Sequence, residues 1–289
     1  MSAMSTTSPL IASVDAELYR IRKWPAVWVT LGAWLLLSAL FGYVFNYVAY
    51  RTGSNTFSNE GESASALLGS ILPAAVPHTL IDGMPMFGGA LMLVLGAIVA
   101  GNGYGWGTWK TVFTQGPSRR STVLGSLGAL TIFVVGVVAV TFVFDLGLSL
   151  LVAASESQAV VWPGLAESLR SMGAGFLVIE MWSLVGYLLG TLARGPALSV
   201  GLGLLWALVI ENLLRGVGTM LHWVAVITHF LPGTAAGSLV GSIVGVGGPD
   251  STPGVVGAIS GERGAWTLAA YLVLLPVAIL SLVRRRDVA

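Results

Sequence analysis

Cysteine, lysine and charge of either sign are scarce in this sequence. It has 289 residues, of which 9% are charged and 55% hydrophobic, whereas a soluble domain carries about 25% charged residues. The lack of cysteine excludes disulfides, thiolate metal ligands and cysteine nucleophiles, and it leaves the redox compartment open. So few charges cannot cover a water-facing surface, and we therefore expect a membrane around most of the chain.

The two lysines, Lys23 and Lys110, exclude an ATPase motif of the P-loop kind. That motif reads G-x-x-x-x-G-K-[ST], but Arg22 and Trp109 precede these lysines. The glycines of "GNGYGWG" follow an apolar helix rather than a strand, so they do not predict a dinucleotide site. No G-x-S-x-G motif with a supporting base occurs either. We expect no catalysis and no cofactor on this chain.

Bulk charge and histidine spacing exclude two further classes of partner. The net charge is +1, which gives no reason to expect a nucleic acid. The three histidines, His78, His222 and His229, together with Asp82, do not have the spacing of a metal motif. We therefore expect no metal.

Six apolar stretches are long enough to cross a bilayer, whose core of about 30 Å needs roughly 20 helical residues. The first and third are long enough to tilt or to extend beyond the core. The predicted fold is an all-α membrane protein with six transmembrane helices in a single domain, 1–289. The predicted spans are 24–50, 84–103, 123–152, 173–193, 196–214 and 265–283.

The basic residues predict the orientation of these spans, because cytoplasmic segments carry an excess of Lys and Arg. Alternate segments hold ten and four of the 14 basic residues. Both termini are therefore expected in the cytoplasm, in the inner (plasma) membrane. The apolar run after Lys23 is too long for a cleaved signal sequence, so it is interpreted as a retained anchor. The ten cytoplasmic basic residues are Arg20, Arg22, Lys23, Lys110, Arg119, Arg120, Arg194, Arg284, Arg285 and Arg286.

Two segments lie outside the six predicted spans. In 217–263, "LHWVAVITHF" is followed by a glycine-rich stretch, and a single crossing there would place Arg284–Arg286 outside. We therefore predict a re-entrant pair of short helices before the last span, 264–289 with its basic tail.

In 1–23, Val14, Leu18 and Ile21 fall on one helical face, which predicts an interfacial helix. A disordered tail is the alternative for 1–23.

The polar interval "GYGWGTWKTVFTQGPSRR", 103–120, separates the second and third of the spans in 24–216. Trp106 and Trp109 suit the headgroup zone, and Lys110 can extend its amine toward water. Ser118 is placed to cap the helix that follows. A generic hairpin that obeys the positive-inside rule accounts for these residues equally well.

This interval resembles the signature of type-2 ABC transporter permeases, the membrane subunits of bacterial ABC exporters. Those proteins carry Gly-Thr, a basic residue, a short apolar run and Pro-Ser-Arg between their second and third spans. "WGTWKTVFTQGPSRR" is similar, and "FLPGTAAGSLV" resembles a piece of the loop before the last span. Two departures are the absence of an acidic residue near Asn102 and of a basic residue near Gly125.

The resemblance implies an exporter or efflux subunit that forms the translocation path and pairs with a second permease copy. ATP and Mg²⁺ would then bind to a separate ATP-binding subunit. A coupling helix in the interval would dock on that subunit. The residues expected to couple the two are Trp106, Gly107, Thr108, Lys110, Pro117, Ser118, Arg119 and Arg120.

Three acidic residues fall inside predicted spans, where a charge is costly and faces the bundle interior. Asp145 lies near an outer end, from which it is expected to reach water. Glu180 lies about seven residues from the outer end of its span, either lining a path or bonded to a neighbouring helix. Glu211 has Arg215 four residues on, which favours a local ion pair.

Two other classes of function stay open at this point. A proton-coupled secondary transporter or channel would use Glu180 and need no ATPase. No internal repeat of the kind typical of such folds is visible. A membrane-embedded enzyme or scaffold would use the loop around His222 and His229, but catalytic residues do not converge there.

Overall fold

The protein is helical throughout the part that the structure describes. The computed structural model describes residues 9–53, 63–115, 118–245 and 252–285, except for the side chains of 110 and 113–115. No strand occurs in these ranges. Twelve helices follow in chain order, numbered from the first described residue: α1 Pro9–Lys23, α2 Pro25–Thr52, α3 Ala64–Ser70, α4 Pro73–Asp82, α5 Met84–Gly105, α6 Thr108–Gln115, α7 Arg119–Ser155, α8 Leu165–Ala193, α9 Pro196–Gly218, α10 His222–Thr228, α11 Pro232–Val244 and α12 Gly261–Arg285.

Six of the described helices are long and apolar enough to cross a membrane, and the chain is a multi-pass membrane protein. They are α2, α5, α7, α8, α9 and α12, which confirms the six predicted stretches with their approximate bounds. Helix α7 has 37 residues and is therefore about 55 Å long, well beyond a bilayer core. The structure thus extends this helix past its predicted ends.

Two bent helix pairs accompany these long helices. Helices α3 and α4 meet at 65°, and α10 and α11 meet at 77°. Each pair is apolar enough to count as one broken span or as a re-entrant loop. The second pair falls in the predicted segment 217–263. The first pair was not predicted, because Pro73, Pro77, His78 and Asp82 interrupt its apolar sequence.

Helices α5 and α8 form the centre of the bundle through glycines that let their backbones touch. A Cβ on Gly96 would lie 2.0 Å from the Ser183 carbonyl oxygen, and one on Gly186 would lie 2.0 Å from that of Leu93. Only glycine fits at both positions, as is typical of close helix pairs in membranes. This contact fixes the distance between the second and fourth long helices.

Helices α2 and α7 run parallel in constant register. The Trp34 indole donates to Thr141 over 2.9 Å, and the Ser38 hydroxyl donates to Asp145 over 2.8 Å. Both pairs are 107 positions apart in sequence. Residues Ser38–Val44 of α2 are π-helical, and so are Met84–Gly88 of α5 and Leu205–Ile210 of α9.

Helix α11 is inserted into the bundle and lies antiparallel to α12. Ten of its 13 residues are buried. A Cβ on Gly264 would approach the Ala235 carbonyl, and one on Gly261 would meet Ser242. The apolar helix α10 stays at the surface, where Trp223 and Ile227 are exposed. The bent pair therefore has one buried arm and one exposed arm.

Candidate functional site

The interval 103–120 folds into a turn, a short helix and a capped helix start. Helix α5 ends at Gly105, and Gly107 adopts a φ of +67° that favours glycine. Helix α6 follows, and Ser118 caps α7 by accepting a 3.2 Å hydrogen bond from the Ser121 amide. Pro117 and the side chain of Lys110 lie outside the described residues. The predicted cap at Ser118 is confirmed.

Several described residues of this interval are exposed where α5 ends and α7 begins. Trp106 is 69% exposed, and Gly107, Thr108, Ser118 and Arg120 are also exposed, while Arg119 is half-buried. We call this set the polar rim. It carries aromatic, hydroxyl and guanidinium groups.

Trp109 has a different role from Trp106, although the sequence placed both in the headgroup zone. It is buried, and its indole nitrogen donates to the Ala100 carbonyl over 3.3 Å. A Cβ on Gly103 would lie 2.2 Å from that nitrogen. The absent side chain of Gly103 therefore makes room for the indole, which fixes α6 against the end of α5.

A chain of aromatic and cationic contacts joins the polar rim to α1. The Trp106 ring meets the Trp24 ring edge-on, with centroids 5.9 Å apart. The Arg20 guanidinium lies 4.6 Å from the Trp24 ring centroid, a cation–π distance. Arg20 also pairs with Glu17 at 2.5 Å. A displacement of Trp106 would therefore be transmitted to α1 through the side chains of Trp24 and Arg20.

Helix α1 packs closely on the first turns of α7. The predicted helix is confirmed, with Ile21 and Ser13 buried. A Cβ on Gly125 would come within 2.5 Å of the Ser13 Cβ. This contact explains why no basic residue stands at Gly125, since a long side chain would displace α1. Burial raises the pKa of Glu17, and the neighbouring Arg20 opposes this shift.

The three intramembrane acids lie apart from the polar rim and have polar partners. Glu180 is buried in the middle of α8 rather than near its end, because α8 begins at Leu165. Its carboxylate accepts a 2.6 Å hydrogen bond from the Thr131 hydroxyl on α7 and a 3.3 Å hydrogen bond from the Ser183 hydroxyl. A hydrogen bond to a neighbouring helix, one of the two alternatives that the sequence left open for Glu180, is thus present within one chain.

Glu211 and Asp145 differ from what the sequence suggested. Arg215 donates to Asn212 instead of forming the predicted ion pair with Glu211, and Glu211 accepts from the Thr234 amide over 2.6 Å. Asp145 does not reach water, since it is fully buried and accepts from Ser38. Both corrections arise from partners far away in sequence.

A fourth acidic residue, Glu156, joins the C-terminal ends of α2 and α7. The sequence alone did not predict this contact. The Glu156 carboxylate accepts three hydrogen bonds: from the Tyr47 hydroxyl (2.7 Å), the Tyr50 hydroxyl (3.2 Å) and the Arg51 guanidinium (3.1 Å). These hydrogen bonds and the Arg51 charge lower the pKa of Glu156, against the opposing effect of desolvation. The spacing of two tyrosines and an arginine at the end of α2 is the signal that could have found this cluster.

The histidines do not converge. His78 on α4 approaches Glu167 on α8 at 3.1 Å, while His222 and His229 lie at the two ends of α10. Over the described ranges, no three His, Asp or Glu side chains are grouped so that they could hold a metal ion.

Comparison with models of known protein families and with characterised proteins found no match to this chain. The candidate site consists of the polar rim at one end of a helical bundle, joined to α1, and of buried acids that link helices.

Proposed function

We propose that this chain is the transmembrane permease subunit of an ATP-driven exporter of the type-2 ABC class. The polar rim would be the surface that docks on a separate ATP-binding subunit. The observation that carries the proposal is the short helix α6 between the second and third long helices, flanked by Trp106 and by the Ser118 cap.

The contacts of Trp106 support a coupling role for the polar rim. Its ring is 69% exposed, so a soluble partner can contact it. The same ring touches Trp24, which stands between α1 and α2. A movement imposed on α6 would thereby reach the first long helix. The Trp109 indole, packed at Gly103, would pass the same movement to α5.

The remaining features support the rest of the proposed assembly. The sequence has no P-loop, so ATP and Mg²⁺ would bind on the partner subunit and this chain would not be an enzyme. Two permease copies would pair with two ATPase subunits, as symmetry favours. The polar rim and both termini would face the cytoplasm, with the inner membrane as location.

The bent pair α10/α11 would be a re-entrant hairpin on the outer side. Its buried arm is covered by protein, which is the condition under which a broken helix is tolerated in a bilayer. The path through the bundle would be largely aliphatic with scattered aromatics. Such a lining suits an amphipathic or lipid-like compound, a drug or a peptide moved outward.

Co-purification tests the proposal. The tagged full chain is extracted from its native membrane in mild detergent, and accompanying proteins are quantified by mass spectrometry. A protein with a P-loop is expected in equal amount. The proposal fails if the chain purifies alone as a stable species that still moves solute in vesicles. A proton-coupled transporter would then be the better description.

A further inference from the structure

Glu180 lies in the middle of α8, about 20 Å from either end of this helix at 1.5 Å per residue. The residue is buried, with 3% of its surface exposed. Two hydroxyl groups reach its carboxyl group: that of Thr131 on α7 lies 2.6 Å from Oε1, and that of Ser183 lies 3.3 Å from Oε2. A carboxyl group thus stands deep inside the bundle with hydroxyls as its described hydrogen-bond partners.

The hydrogen atoms around this carboxyl group are too few for an ionised glutamate. A hydroxyl carries one hydrogen, and a carboxylate carries none. The Thr131 hydroxyl has two acceptors within reach, Glu180 Oε1 at 2.6 Å and the Leu127 carbonyl at 3.1 Å. The Ser183 hydroxyl likewise has the Glu180 carbonyl at 2.8 Å and Glu180 Oε2 at 3.3 Å. If Glu180 were ionised, two hydrogens would have to serve these four acceptors.

No cation balances a charge on Glu180 in the part of the chain that the structure describes. None of the ion pairs there involves it. Glu156, which follows the last residue of α7, shows a different environment, because its carboxylate accepts from Arg51 as well as from two tyrosine hydroxyls. A buried charge without such partners is costly, and a buried acid is neutralised instead.

The other titratable groups on α8, and those on the helices packed against it, form no hydrogen bond or ion pair with Glu180 among the described residues. The packed helices are α4, α5, α7, α9, α11 and α12, of which α11 has no titratable residue. The nearest group along α8 is Tyr187, about 10 Å farther along the axis. Five groups have other partners: His78 contacts Glu167, Asp82 contacts Thr252, Asp145 contacts Ser38, Glu211 contacts Thr234, and Tyr271 contacts the Phe230 carbonyl. The remaining groups lie toward helix ends, and they are Tyr104, Arg119, Arg120, Arg170, Arg194, Arg215, Glu262, Arg263, Arg284 and Arg285.

We propose that Glu180 is a proton-binding site inside the bundle, with the proton held on Oε1 between α7 and α8. The carboxylic acid then donates to Thr131 Oγ1, and the Thr131 hydrogen bonds to the Leu127 carbonyl. The Ser183 hydrogen bonds to the Glu180 carbonyl, which is the nearer of its two acceptors. One added proton therefore leaves only the 3.3 Å contact to Oε2 without a hydrogen, and it removes the unbalanced charge.

The bound proton stabilises the contact between two long helices. Thr131 and Glu180 are 49 positions apart, so their hydrogen bond exists only while α7 and α8 are packed. Loss of the proton would leave a carboxylate without a cation in apolar surroundings, so proton release requires water to enter or the two helices to separate. The site needs no ATP-binding partner, because all of its groups lie within one chain, and it is therefore independent of the proposed permease role.

Carboxyl-¹³C labelling of glutamate tests the site. The full chain is placed in lipid nanodiscs at neutral pH, and the NMR signal that is lost in Glu180→Gln is assigned to Glu180. We expect this signal at the position of a carboxylic acid, while Glu262, exposed at the start of α12, gives a carboxylate signal in the same sample. The spectrum is simple because the sequence has only eight glutamates, Glu17, Glu60, Glu62, Glu156, Glu167, Glu180, Glu211 and Glu262.

Two threonine variants keep the test decisive. Thr131→Val removes the proposed acceptor of the proton and is expected to shift the Glu180 signal. Thr267→Val is the matched control, because the Thr267 hydroxyl bonds within α12, and it should leave that signal unchanged. If Glu180→Gln does not fold, the signal that moves in the first variant and not in the second supplies the assignment.

A carboxylate position for Glu180 at neutral pH would overturn the proposal. A spectrum in which Thr131→Val moves no glutamate signal would overturn it as well. No ATP-binding subunit is present in these samples, so a failure here is distinct from a failure of the proposed function.

Discussion

The Glu211 carboxylate caps the first turn of α11. Its Oε1 accepts from the Thr234 amide over 2.6 Å and from the Thr234 hydroxyl over 3.3 Å. Glu211 is 1% exposed, and it is the only buried residue of 205–218. A negative charge at a helix N-terminus is favourable. This half of α9 is thus tied to the bent pair by one buried side chain.

Glu211→Ala is expected to destabilise the junction between α9 and α11. The amide of Thr234 would lose its partner in a buried place, at a cost of about 1–3 kcal/mol. Glu211→Gln should cost less, because an amide oxygen still accepts. Thermal unfolding in detergent and hydrogen exchange of the α11 amides measure the effect. Leu213→Ala is the control, since Leu213 is 65% exposed; an equal loss there would contradict the assignment.

Gly125→Ala is expected to lift α1 from α7, whereas Gly128→Ala should not. The added Cβ would lie 2.5 Å from the Ser13 Cβ in the first variant and 3.4 Å from a Val14 methyl in the second. The chain has no cysteine, so Ile21→Cys, on the buried face of α1, can report displacement through its rate of maleimide modification. Equal rates in the two glycine variants would refute the close contact.

Acid is expected to weaken the link between α2 and α7 at Glu156. Because hydrogen bonds and Arg51 lower the pKa of Glu156 in the folded state, its contribution to stability is present above the unfolded-state pKa. That contribution is lost as the pH falls through the lowered folded-state value. Wild type and Glu156→Gln should therefore differ in stability at neutral pH and converge in acid. Parallel pH profiles of the thermal midpoint would count against this link.

Under the proposed function, Trp106→Ala is expected to reduce the amount of the proposed ATP-binding subunit that co-purifies. The ring is exposed and belongs to the polar rim. Trp266→Ala is the matched control, because Trp266 is 71% exposed but begins the last long helix. Retention of the partner by the Trp106 variant would remove this side chain from the docking surface.

Replacement of Pro117 and Arg119 together is expected to uncouple ATP hydrolysis from transport. Both residues adjoin the Ser118 cap at the start of α7, and a change there should leave the long helices folded. Vesicle transport and ATP hydrolysis are measured on the same preparation, with circular dichroism as the check on helix content. Normal transport by the double variant would show that this end of α7 is not the coupling element.

The six long helices follow from the sequence because insertion into lipid depends on a property of each segment by itself. A run of about 20 apolar residues is enough, and the predicted runs coincide with α2, α5, α7, α8, α9 and α12. The cap at Ser118 and the helix α1 are likewise local, since each depends on neighbours within one or two turns. The missed pair α3/α4 shows the limit, because prolines interrupt its apolar run.

Only the tertiary structure decided what the buried polar residues contact. Asp145 meets Ser38 across 107 positions, and Glu211 meets Thr234 across 23. The sequence alone suggested water for the first and Arg215 for the second, which are the nearest available partners along the chain. Helix packing brings distant groups together and excludes water, and it depends on contacts such as those of Gly96 and Gly186 that no local pattern specifies.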